Sequence, residues 1–235
     1  MIRGIWVKIV MAFSTLTCGL AGAIITSLKP GSDATMVAGR LWSRINLWAT
    51  GARVEWRHLE RASSHLPCIY VANHQSNIDI WALIAVLPKQ TRFVAKQALF
   101  KIPVLGWALR VSDFVPIDRT NRKQAIRSLD LAAEKIRGGR PVVLFAEGTR
   151  TAGDELAPFK KGPFHLALAA QVPIVPVAIS GSGKVMPPSG LRVTPGDVRV
   201  TFCEAIDVSG YKRSEVGKLL EEVRGVIERS QREQG

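Results

Sequence analysis

Uncharged residues run unbroken from Ile9 to Leu28, about 20 positions, the length at which a helix crosses a hydrocarbon core. Arg3 and Lys8 precede the run, as basic residues also precede a cleaved signal peptide. The run is longer than a typical signal core, so it is expected to be retained. Next come Arg40, Arg44, Arg53 and Arg57 among Leu41, Trp42, Ile45, Leu47, Trp48 and Trp56. That mixture suits a helix lying in the headgroup region or an amphipathic helix buried against the fold, and the pattern leaves both open.

From Pro67 onward short β-rich runs alternate with helical periodicity. The predicted strands are Cys68 to Ala72, Thr91 to Ala95, Phe114 to Ile117, Pro141 to Phe145, Ile174 to Ser180 and Val198 to Glu204, most of them apolar throughout, as fully buried strands are. Between Lys123 and Ile136, Ala125, Leu129, Ala132, Ala133 and Ile136 recur at helical spacing, and Gly138 and Gly139 stop the helix. The stretch from Ser214 to Ser230 carries a second apolar stripe, with Ser214 the expected N-cap. Alternation of this kind predicts an α/β fold, a mostly parallel central sheet flanked by helices. Residues 1–60 are expected to form N-terminal membrane-associated helices and residues 61–235 the α/β domain, with its start near Val54 to Pro67.

Composition narrows the partners. The 32 Lys and Arg against 19 Asp and Glu leave +13, which favours an anionic partner: a nucleic acid, an anionic membrane or a phosphorylated substrate. No nucleic-acid motif or basic arm occurs, so no nucleic-acid partner is expected. Cys18, Cys68 and Cys203 stand far apart in apolar surroundings and read as buried thiols in a reducing compartment.

The strand ending at Ala72 leads into Asn73-His74-Gln75-Ser76-Asn77-Ile78-Asp79 and then an apolar helix. Five residues on one regular helix would set His74 and Asp79 about 140° apart, out of reach of each other. If His74 lies in the turn and Asp79 in the first helical turn, the carboxylate reaches one imidazole nitrogen and leaves the other as a base. Such a relay has no nucleophile of its own and suits direct transfer, the base taking a proton from a substrate hydroxyl as it attacks a carbonyl. Spacing alone leaves an N-cap role for Asp79 as the alternative. Further clusters follow two later strands, Asp118-Arg119-Thr120-Asn121 and Ala146-Glu147-Gly148-Thr149-Arg150. The carboxyl ends of parallel strands line a ligand crevice, and arginines beside a glycine and a hydroxyl suit a phosphate.

These segments, in order, carry a resemblance. Asn73 to Asp79, Phe114-Val-Pro-Ile-Asp-Arg119, Phe145-Ala-Glu-Gly-Thr-Arg150 and Val172-Pro-Ile-Val-Pro-Val177 resemble the four ordered blocks of the lysophosphatidic acid acyltransferase family, and Phe93 to Trp107 resembles its segment between the first two. The likeness covers roughly Ile69 to Ile179. It implies acyl transfer from acyl-CoA or an acyl carrier protein to the sn-2 hydroxyl of 1-acylglycerol 3-phosphate, giving phosphatidic acid, with His74 as base and Asp79 as its orienting partner. Arg119, Glu147, Gly148, Thr149 and Arg150 would shape the phosphoglycerol site, with Lys96 adding positive charge. No metal or organic cofactor is implied, and the expected location is the cytoplasmic face of the inner or plasma membrane. Ala146 departs from the family's usual proline, which leaves the turn geometry open.

Other features carry less. Gly181-Ser182-Gly183-Lys184 resembles a phosphate loop, but Ala178 stands where the first glycine belongs and Val185 where a hydroxyl belongs. No GxSxG elbow occurs, and His58, His65 and His165 lack metal-ligand spacing. Transfer to another lyso-lipid, such as a lyso-aminolipid, is the alternative within the enzyme class, distinguished by whether an arginine loss weakens acceptor binding. A silent lipid-binding membrane module is the alternative outside it, and would bind lysophospholipid without consuming a thioester.

Overall fold

The computed structural model describes residues 2–118, 122–151, 153, 155–189 and 192–233. Strands β1 (Ala52–Arg57), β2 (Ile69–Ala72), β3 (Arg92–Lys96), β4 (Val115–Ile117), β5 (Val142–Phe145), β6 (Ile174–Ser180) and β7 (Gly196–Phe202) form one sheet in the order β1-β7-β6-β2-β5-β3-β4. From β6 to β4 every pairing is parallel, while β7 runs antiparallel to β6 and β1 parallel to β7. Ile69 faces both Val142 and Ile174 across its two neighbours, so β2 lies inside the sheet. Its four residues are all buried, as a strand covered on both faces must be.

The helices are α1 (Ile2–Leu28), α2 (Ala34–Thr50), the one-turn α3 (Arg61–Ser64), α4 (Asn77–Val86), α5 (Leu105–Val111), α6 (Arg122–Arg137), α7 (Gly162–Ala170), the one-turn α8 (Ser182–Val185) and α9 (Val216–Arg232). Alternate residues of each strand point to opposite faces, and two apolar cores result. Ile69, Val71 and Leu144 pack with residues of α6, α7 and α9 on one face. Tyr70, Ala72 and Val177 pack with α4 on the other. Because α2 covers α4 in turn, α4 is apolar nearly all round. Arg40 ties the two together by donating from Nη2 to Leu87 O at 2.7 Å.

Helix α1 lies along α2, joined by Thr26 Oγ1 to Thr35 Oγ1 at 2.6 Å, Trp42 Nε1 to Thr15 Oγ1 at 3.0 Å and Asn46 Nδ2 to Ser14 Oγ at 3.1 Å. Its outer side leaves Ile5, Trp6, Ile9, Phe13 and Leu16 exposed, and α2 adds Leu41 and Trp48. In the Arg- and Trp-rich stretch that follows the apolar run, Leu47 is buried against the fold and Trp48 faces outward.

Two expectations need correction. Arg53, Trp56 and Arg57, read as part of that helix, lie on β1. Gly51 ends α2 in the left-handed region at φ 70°, donating to Leu47 O and Trp48 O. The chain then alternates, Ala52, Val54 and Trp56 half-buried and Arg53, Glu55 and Arg57 outward, and the outward charges protect a sheet edge. Ser214 is no N-cap: it lies within a 3₁₀ turn, Arg213–Glu215, in which Glu215 Oε2 accepts from Lys212 N at 2.9 Å, and α9 starts at Val216. The thiols behave as expected of buried groups: burial pushes Cys68 up to about 12 and raises Cys203.

Candidate active site

The turn between β2 and α4 is built almost entirely by side chains answering backbone groups. Asn73 clasps β6, its Nδ2 donating to Ile179 O at 2.9 Å while its Oδ1 accepts from Ile179 N at 2.8 Å. Ser76 caps α4, accepting from Ile78 N at 3.2 Å and donating to Met186 O at 2.7 Å. Asp79, fully buried, sits in the first turn, where a carboxylate is favoured by the helix dipole. Its Oδ2 accepts from Gln75 N at 2.7 Å and Ser76 N at 2.8 Å, and lies 2.8 Å from His74 Nδ1. The capping bonds and the contact with the imidazole, alternatives on spacing alone, thus fall on one oxygen.

Facing an ionised carboxylate, which only accepts, Nδ1 is the donor of that contact and Nε2 is the ring nitrogen left for other partners. The imidazole is nearly buried and stacks on Phe145, centroids 3.9 Å apart with 17° between the planes. Parallel pairing of Ala72 with Phe145 sets this stack.

The main chain of His74 is gripped by the third charged cluster. His74 N donates to Glu147 Oε1 at 2.7 Å, and His74 O accepts from Thr151 N at 2.9 Å. Glu147 is buried; its Oε2 accepts from the Thr151 hydroxyl and, at 3.3 Å, from Ala157 N. The residue expected at the phosphoglycerol site therefore points inward. Gly148 adopts φ 76°, a left-handed turn that favours glycine, and exposes Thr149. Arg150 is half-buried and donates from Nη1 to Asn77 Oδ1 at 3.1 Å. Ala146 N donates to Ala72 O at 2.9 Å, a bond that the family's usual proline, lacking an N–H, does not make.

Lys96 is exposed at the carboxyl end of β3, next but one to β2 across β5. His74, Lys96 and the 147–150 turn therefore share one end of the sheet. Arg119, with Thr120 and Asn121, lies outside the described residues. His58, His65 and His165 are exposed, and among the described residues no three His, Cys, Asp or Glu side chains are grouped to hold a metal.

Four participants escaped sequence reasoning as functional residues: Asn73, Asn77, Phe145 and Thr151. The first three lie within the matched blocks, but their contacts run to β6, to Arg150 and to His74 across strand pairings that local spacing does not specify. Thr151 directly follows the third block and carries no signal of its own.

Residues 53–180, more than half of the chain, match the Acyltransferase family model, and the buried His74–Asp79 pair and the 147–150 turn both lie within that span. The chain is 31% identical over 222 residues to the 1-acyl-sn-glycerol-3-phosphate acyltransferase of Salmonella typhimurium, covering 94% of this chain and 89% of that protein. It is 37% identical over 169 residues to chloroplastic 1-acyl-sn-glycerol-3-phosphate acyltransferase BAT2 of Brassica napus, covering 71% of this chain and 48% of that one. The chain thus spans about half the length of the chloroplastic relatives from Brassica napus and Arabidopsis thaliana that it matches. The crystal structure of the 1-acyl-sn-glycerophosphate (LPA) acyltransferase PlsC from Thermotoga maritima superposes with a TM-score of 0.84 at 25% identity, covering 99% of this chain and 95% of that one. The chain belongs to the 1-acyl-sn-glycerol-3-phosphate acyltransferase family.

Proposed function

We propose that this protein transfers a fatty acyl group from acyl-CoA or an acyl carrier protein to the sn-2 hydroxyl of 1-acylglycerol 3-phosphate, giving phosphatidic acid. The observation that carries the reading is the buried contact of 2.8 Å between His74 Nδ1 and Asp79 Oδ2, in a chain whose relatives from Salmonella typhimurium and Brassica napus are named 1-acyl-sn-glycerol-3-phosphate acyltransferases. His74 Nε2 takes the hydroxyl proton as the oxygen attacks the thioester carbonyl carbon. The C–O ester bond forms, the C–S bond breaks, and the imidazolium returns its proton to the departing thiolate. Asp79 stabilises the imidazolium and holds the tautomer. Lys96, Arg150 and the 148–149 turn, with Arg119, draw the acceptor phosphate to this end of the sheet. No metal or organic cofactor enters these steps.

The exposed apolar side of α1 and α2, on a chain of net charge +13, lies against the anionic cytoplasmic face of the inner or plasma membrane, where acceptor and product reside. His74→Ala tests the chemistry. Transfer should fall by about a hundredfold or more, the loss typical of a missing general base, with folding retained. Near-normal turnover in that variant overturns the assignment.

A further inference from the structure

The turn after β5 and the turn after β2 are joined around His74 by three contacts. Glu147 Oε1 accepts from His74 N at 2.7 Å and Thr151 N donates to His74 O at 2.9 Å; between these ties in the chain, Arg150 donates from Nη1 to Asn77 Oδ1 at 3.1 Å. Both ends of the third contact are anchored. Asn77 opens α4, between the Ser76 cap and Asp79, and Arg150 directly precedes Thr151, whose main chain is held by His74. The half-buried guanidinium is therefore drawn to the first turn of α4, beside the base. The helix itself does not call for an amide at position 77. Ser76 and Asp79 already answer the free N–H groups at this end, and asparagine is among the weaker helix formers.

A guanidinium presents several N–H donors and no acceptor. Asn77 engages Nη1 alone. Among the described residues no carboxylate forms an ion pair with Arg150, and Glu147, three residues earlier, is occupied by His74 N, the Thr151 hydroxyl and Ala157 N. With Nη1 tethered, the Nε–Nη2 edge is left, two parallel N–H groups that match two oxygens of a phosphate. Because Asn77 Oδ1 is a neutral acceptor, it orients the guanidinium without cancelling its charge, as a carboxylate there would. Resting on the acyl-transfer reading above, we propose that Asn77 is a positioning residue for the acceptor: it holds Arg150 by Nη1 so that the Nε–Nη2 edge meets the phosphate of 1-acylglycerol 3-phosphate. Asn77 acts on the acceptor only through Arg150, which makes the two side chains a coupled pair.

The test compares Asn77→Ala, Arg150→Ala and the double variant, each as the full chain in detergent micelles; Asn77→Leu, close to asparagine in shape but without the acceptor oxygen, serves if Asn77→Ala fails to fold. The readouts are calorimetric affinity for 1-acyl-2-deoxyglycerol 3-phosphate, an acceptor analogue without the hydroxyl that reacts, and kcat with the KM of each substrate. Losing the tether should weaken the analogue and raise acceptor KM by about threefold to tenfold, the worth of one hydrogen bond, with kcat and donor KM within about twofold. In the Arg150→Ala background, removing Asn77 should change nothing further. Wild-type analogue affinity in either single variant, a fall in kcat without a change in affinity, or an equal loss on removing Asn77 from the Arg150→Ala protein would each overturn the assignment. A wild type that transfers no acyl group yet binds the analogue through a coupled Asn77 and Arg150 sinks the acyl-transfer reading and leaves Asn77 assigned.

Discussion

Glu147→Gln separates a residue that holds the base from one that holds the acceptor. The wild-type carboxylate takes three hydrogen bonds, from His74 N, from the Thr151 hydroxyl and from Ala157 N. Glutamine keeps one acceptor oxygen, so at best it retains the His74 contact. Its amide nitrogen then faces Thr151, whose hydroxyl can rotate to accept, and Ala157 N–H, which cannot. One contact becomes donor against donor, and the other two lose their charge-assisted part, about half the strength of each. With charge-assisted bonds worth about 1.5–3 kcal/mol, one lost whole and two halved make the loss roughly 3–6 kcal/mol. For a domain of this size that lowers Tm by about 6–24 °C. A shift of His74 by about 1 Å costs roughly a hundredfold in rate, so kcat should fall between tenfold and a hundredfold. Acceptor KM should stay within about twofold, because the carboxylate faces the protein interior. Steady-state kinetics with 1-acylglycerol 3-phosphate, beside a thermal melt in the same micelles, provide both readouts. Wild-type Tm and kcat with a strongly raised acceptor KM would show that Glu147 touches substrate, and the bracket would be refuted.

Arg150→Ala should raise acceptor KM about tenfold or more by removing a bidentate phosphate partner; an unaltered KM in the same assay would point to a phosphate-free acceptor. Phe13→Asp with Trp48→Asp, at side chains 66% and 71% exposed, should greatly reduce cosedimentation with anionic vesicles while turnover on micellar substrate persists, and undiminished cosedimentation would remove this face from the membrane contact. Burial raises the Cys68 thiol from about 9 to about 12, so its contribution to stability is complete below pH 9 and is lost as pH rises toward 12. Cys68→Ala should flatten that alkaline decline in a denaturant titration series, and an equally steep decline in the variant would contradict the assignment.

The six strands legible from apolar runs, the two helices at Arg122–Arg137 and Val216–Arg232, and the His74 turn are local matters: side-chain period, breaker residues and capping chemistry act within a few residues. β1 escaped because Trp56 and its arginines continue the composition of α2, and only pairing with β7, some 140 positions along the chain, makes Ala52–Arg57 a strand. The blocks of the site were likewise readable as types of chemistry in order along the chain. Tertiary structure decided how they meet: β2 between β5 and β6, Ala72 opposite Phe145, and Glu147 turned toward His74 N rather than toward solvent. Register and strand order are set by burial on both faces of the whole sheet, an energy shared among distant segments. No stretch of the chain encodes it alone.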